Sequence, residues 1–139
     1  MVELSAYGPA AMALALFALM GLVLGAAAGA AGVRAGCVSG DVPPADYSSR
    51  DYRIARAHLN LTENAGLFAS VLLAAIVAGV APILVNWVAW LIALTRAGMV
   101  AVHVGGQGKP SGGPRSLLFA AGAFLMMGLG LIAIVAVIV

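Results

Sequence analysis

Charge is what this sequence has least of. Asp, Glu, Lys and Arg together make up 9% of its 139 residues, against roughly 25% in ordinary soluble domains. A water-facing surface cannot be covered from that supply, so most of the outside must face lipid. The net charge of +2 is too small and too localised to point to nucleic acid. A single cysteine, Cys37, excludes an intrachain disulfide and a cysteine-based metal cluster. Packing or interface burial is the expectation for it. The two histidines, His58 and His103, lack the carboxylate-rich surroundings of a metal centre, and no metal is expected. No GxGxxG, P-loop or HExxH pattern occurs, which removes the usual dinucleotide, nucleotide and zinc-hydrolase readings. No internal repeat is evident either, which gives an inverted-repeat transporter no support.

What the chain has instead is apolar length. Its mean hydropathy is +1.09, and spanning a bilayer takes about 20 apolar residues. Four stretches qualify: about 9–34, 51–80, 82–105 and 114–139. The first lacks the basic leader of a secretory signal and carries Glu3 before it, so a retained membrane helix is expected. Between the stretches lie GCVSGDVPPADYSS, a turn-rich loop; GVAP, a tight turn; and GGQGKPSGGP, a glycine loop. The expectation is one all-α membrane domain over residues 1–139, a four-helix up-down bundle with short connections. Gly21, Gly25, Gly29 and Gly32 on the first span, and Gly122, Gly128 and Gly130 on the fourth, suit close helix contact within the bundle or between subunits.

All seven basic residues (Arg34, Arg50, Arg53, Arg56, Arg96, Lys109 and Arg115) fall in or towards the first and third loops. The bias of Lys and Arg towards the cytoplasm places those loops there and both termini across the membrane. Trp87 and Trp90 suit an interfacial belt at the opposite end.

Residues 53–64, RIARAHLNLTEN, concentrate this scarce charge at the mouth of an apolar helix. At ~100° per residue, Arg53, Arg56, Asn60 and Glu63 form one stripe, with His58 and Thr62 on another side. Arg96 and His103, seven residues apart, share a face of the third span, and Arg115 with Ser116 opens the fourth. An ionised group in hydrocarbon costs at least ~2.5 kcal/mol, so such groups face the bundle interior and pair. One arginine bound to Glu63 would be structural glue. Several arginines facing one or two carboxylates leave surplus buried cation, which calls for an anionic ligand. Arginine forks match carboxylates, and Glu63 can take an ammonium, so the pattern fits a small peptide-like molecule.

Those residues resemble the second-helix signature of the MAPEG family, membrane-associated proteins in eicosanoid and glutathione metabolism. The core Arg-Ala-x-x-Asn-x-x-Glu stands here as Arg56 to Glu63; VRAGCVS after the first span, Arg96 with His103, and PRS at 114–116 extend the match. The resemblance implies a four-helix subunit assembled as a homotrimer, with glutathione between neighbouring subunits near the cytosolic face. Carried over by position, Arg56, Asn60 and Glu63 hold glutathione, Arg53 and Arg96 reinforce the anion site, and His103 stands where better-known members have a contacting tyrosine. Arg115 with Ser116 stabilises the thiolate, and Arg34 assists the electrophile. Phe119 occupies the place of a fourth-helix tyrosine in some members.

The implied activity is that of a microsomal glutathione transferase-like member. It would conjugate hydrophobic electrophiles arriving from the membrane, with glutathione peroxidase chemistry on lipid hydroperoxides as an extension. Two other classes are carried beside it. One is a non-catalytic lipid- or ligand-binding member of the same family, and the other is a small transporter, which would show substrate-dependent flux in liposomes.

Overall fold

Proline at the start of three apolar runs and serine at the start of the other mark where helices can begin, because a first-turn proline has no amide to leave unpaired and serine caps. The computed structural model describes residues 3–107 and 112–139. It contains four long helices: α1 (Gly8–Arg34), α2 (Arg50–Val77), α3 (Pro82–Val104) and α4 (Pro114–Ile138), with a short 3₁₀ turn, Leu4–Tyr7, before α1. Pro sits in the first turn of α1, α3 and α4, and the Ser49 hydroxyl accepts from the Tyr52 amide at α2. Lys109 and the middle of the glycine loop lie outside the described residues.

Each helix is long and apolar enough to cross a membrane; even α3, with 23 residues, reaches about 35 Å. The chain is therefore an integral, multi-pass membrane protein. α2 stops at Val77, three residues before the turn at Val80 that the sequence suggests. Gly79 takes φ +71°, a left-handed conformation open to glycine, and this reverses the chain into Pro82 of α3.

The bundle is a four-cornered array. α1 and α4 each pack on both α2 and α3, while α2 and α3 touch across the diagonal. α2 faces the core with Ile54, Ala57, Leu61, Asn64, Phe68, Leu72 and Ala75, spaced three or four apart as one helical seam requires. The aromatic edge of Phe68 meets Phe17 of α1 with ring centroids 5.3 Å apart. At the far end from the arginines, the Tyr7 hydroxyl donates to Val80 O at 2.6 Å, and Asn86 both donates to Ala6 O and accepts from the Ala10 amide. These bonds tie the start of α1 to the α2–α3 turn, where exposed Trp87 stands.

Glycines that look alike in sequence do different things. A Cβ on Gly122 would lie 2.8 Å from Thr95 Oγ1 and 3.0 Å from Arg96 Nε, whereas one on Gly29 meets nothing within 4 Å. Gly122→Ala should destabilise the bundle by about 1–3 kcal/mol through overpacking. Gly29→Ala should be neutral or mildly stabilising, since Ala is the better helix former by up to ~1 kcal/mol. Denaturation in detergent micelles compares the two; equal effects would refute this packing.

Candidate functional site

The end of the bundle that carries the basic residues opens between α2, α3 and α4. A cavity of about 250 Å³ lies there, lined by Arg56 and Asn60 of α2, Met99 and His103 of α3, and Arg115, Ser116 and Phe119 of α4. A second void of about 320 Å³ adjoins it on the loop side, lined by Ala45, Tyr47, Tyr52, Arg56, His103 and Arg115. Arg56, His103 and Arg115 border both. Helix geometry explains the convergence. Arg56 and Asn60 are four apart on the flank of the α2 seam, His103 ends α3, and Arg115 opens α4 one residue after its first-turn proline.

Electrostatics at the shared wall is one-sided. Arg115 Nη1 lies 3.2 Å from His103 Nδ1. A guanidinium can only donate, so Nδ1 is the unprotonated nitrogen and the ring proton sits on Nε2. That Nε2 is buried and has no hydrogen-bond partner among the described residues; the same is true of Asn60 Oδ1 and Tyr47 Oη. Buried polar atoms are normally satisfied. Among the described residues, Arg56 makes no ion pair and no carboxylate lines either void. Among the described residues, two guanidiniums, an orphaned N–H, a hydroxyl and one orphaned acceptor thus face the two voids, a set whose chemistry is complementary to a small molecule with anionic groups and at least one donor.

The remaining candidates from the sequence are placed elsewhere in the bundle. Arg53 lines neither void: its guanidinium donates to the carbonyls of Tyr47, Ser48 and Val104 at 2.7–3.3 Å. It thereby clamps the first loop to the end of α3. Gly106, at φ +67°, makes room, since a Cβ there would sit 2.9 Å from Arg53 Cζ. Arg96 is fully buried between α2 and α4, donating to Asn64 Oδ1 at 3.1 Å with its guanidinium carbon 4.6 Å from the Phe119 ring centroid. Arg34 is on the α1 side, paired with Asp51. Glu63 is exposed and pairs with no arginine among the described residues; it precedes Asn64 by ~100° of helix, which turns it off the seam. The structural pairing of an arginine with Glu63 is thus not what holds this bundle. His58 packs against α1 at Gly25, away from the cavity.

Two residues that did not stand out in the sequence lie beside the site, Asn64 behind Asn60 and Tyr47 on the loop-side void. Asn64 donates to Asn60 O at 2.6 Å and accepts from Arg96. Its place in the run Ala57, Leu61, Asn64, Phe68 was the available signal, a polar residue on the core seam. Tyr47 comes from the first loop, its ring edge-on to His103 at 5.6 Å between centroids and 5.7 Å from the Arg115 guanidinium carbon. It is the one aromatic in a loop of small and acidic residues.

Away from the polar end, an apolar groove of about 550 Å³ runs down the outside between α2 and α4, past Leu67, Val71, Met127, Leu131 and Ile134. Phe119 and Asn64 close its upper end, and Phe119 belongs to both groove and cavity.

Comparison with protein families finds a match to the model of the MAPEG family over residues 8–135. Comparison with curated proteins and with solved structures yields no match.

Proposed function

The chain belongs to the MAPEG family, membrane proteins of eicosanoid and glutathione metabolism, and we propose that it is a glutathione transferase acting on hydrophobic electrophiles. The observation that carries this reading is the double cavity, walled by Arg56 and Arg115 and, among the described residues, left with unsatisfied Asn60 Oδ1, His103 Nε2 and Tyr47 Oη. Glutathione fits that set, with two carboxylates for the guanidiniums and an ammonium for Asn60. It supplies the sulfur nucleophile. Arg115, with the Ser116 hydroxyl beside it at the start of α4, holds the negative charge of the sulfur, and the helix N-terminus favours an anion at the same point. Phe119 stands between the polar cavity and the apolar groove, a placement that suits an electrophile presented from the lipid side. Reduction of lipid hydroperoxides is the natural extension of the same site.

A homotrimer is part of the proposal. Arg34 and Glu63 both lie on outward surfaces of the subunit, so their service to glutathione requires a neighbouring copy. The arginine-rich end is assigned to the cytosol by the positive-inside bias, which brings the site to the compartment that holds the thiol.

Calorimetric titration of the detergent-purified protein with glutathione tests this. Wild type should bind, and Arg56→Ala or Asn60→Ala should lose roughly 10–100-fold in affinity, the worth of one charged hydrogen bond. No binding by wild type would sink the proposal. The second reading, a lipid-binding member without turnover, is favoured by the size and apolarity of the α2–α4 groove. It predicts fatty-acid binding that leaves the sulfur protonated.

A further inference from the structure

We propose that Tyr47 is a ligand-contacting residue whose hydroxyl donates a hydrogen bond to the terminal carboxylate of the bound tripeptide; this rests on the glutathione reading above. Tyr47 is held in place from both sides. Asp46 accepts from the Ser48 amide at 2.9 Å and from the Ser48 hydroxyl at 2.7 Å. The same hydroxyl and amide hold the Asp46 carboxyl below the usual carboxylate range. Arg53 Nη1 bonds the Tyr47 and Ser48 carbonyls. Although Tyr47 is a loop residue, its ring is wedged against His103, with Arg53 and Arg115 over its faces.

So fixed, its hydroxyl is buried and has no partner among the described residues. A buried phenol normally finds one. The void next to it is bordered by Tyr52, Arg56, His103 and Arg115. The charged side chains there are all donors, so the missing group is an acceptor, and an anion fits best.

Which anion follows from the deeper cavity. Among the described residues Asn60 Oδ1 is an unsatisfied acceptor there, and an ammonium answers it. With the γ-glutamyl end at Asn60 and the sulfur at Arg115 and Ser116, the remaining end of the peptide lands in the loop-side void beneath Tyr47. That end is the glycine carboxylate.

The test pairs Tyr47→Phe with two ligands, glutathione and γ-glutamylcysteine, which lacks the glycine. The Phe variant keeps the ring wedged, so the loop stays in place. Calorimetry should show glutathione binding weakened roughly tenfold in Tyr47→Phe, with γ-glutamylcysteine binding equally to both proteins and the sulfur's ultraviolet absorbance unchanged once bound. Equal affinity of both proteins for glutathione would overturn the role of Tyr47 while leaving the glutathione site standing. Equal losses for both ligands would overturn the carboxylate assignment, because the hydroxyl would then act elsewhere. Failure of wild type to bind either ligand would remove the glutathione reading and this inference together.

Discussion

Replacing Arg115 by Ala should lower the rate of glutathione conjugation by roughly 10²–10³-fold, the usual cost of removing one preorganised charge-stabilising donor, while leaving the bundle folded. A free thiol has a pKa of ~8.5, so only a few per cent is ionised at neutral pH. On the proposed reading the Arg115 guanidinium would raise that fraction by holding the anion; its position is fixed by the bond to His103 Nδ1 and by the Tyr47 ring beside it. The loss should therefore depend on pH. As the solution becomes alkaline, sulfur ionises without help and the gap between variant and wild type narrows. Arg115→Lys keeps the charge but not the planar fork, so it should fall between the two. Conjugation of a chromogenic apolar electrophile, followed across pH, checks all three. A loss that stays constant across pH would mean that Arg115 only positions the peptide.

Asn64→Leu should destabilise the protein by roughly 3–5 kcal/mol, because it strips a buried guanidinium of its acceptor. Arg96 is fully buried and its one hydrogen bond among the described residues goes to Asn64 Oδ1; Nε and Nη1 have none. The Phe119 ring face lies 4.6 Å from its guanidinium carbon, and Gly122 leaves room for its Nε. Arg96→Met puts an apolar chain of similar length in the same space and leaves only the neutral Asn64 Oδ1 without its donor, so it should cost less than Asn64→Leu, about 1–3 kcal/mol. With Arg96→Met already in place, Asn64→Leu should cost far less than it does alone. Unfolding in mixed micelles reads the cycle. Additive single effects would refute the coupling. The same variants also separate structure from binding, since Arg96 lies off both polar voids: Arg96→Met should retain glutathione affinity, and abolished binding would restore Arg96 to the ligand site.

The bundle was legible because its determinants are local. Apolar runs of spanning length, first-turn prolines and loop glycines fix four helices nearly to the residue, and the matched family covers them from 8 to 135. The site was legible only in part. Arg56, Asn60, His103, Arg115 and Ser116 do come to one cavity, as their crowding at one end implies. Arg53, Arg96, Glu63 and Arg34 share that end but not that cavity. Periodicity gives the direction in which a side chain leaves its helix, with ~100° between neighbours, and this could not decide whether the seam turns through Glu63 or Asn64. Nor could it show that Arg53 is taken up by loop carbonyls, because those carbonyls come into reach only when the first loop folds back over α3. Tyr47 was invisible for the same reason, since no periodic pattern positions a loop aromatic.

The most direct test of the account is the ultraviolet difference spectrum of the purified protein on adding glutathione at about pH 7, where free thiol is mostly protonated. The account predicts a thiolate band that saturates with binding and is absent in Arg115→Ala. Glutathione that binds calorimetrically without that band would contradict an arginine-activated thiol and leave a ligand-binding membrane protein in its place.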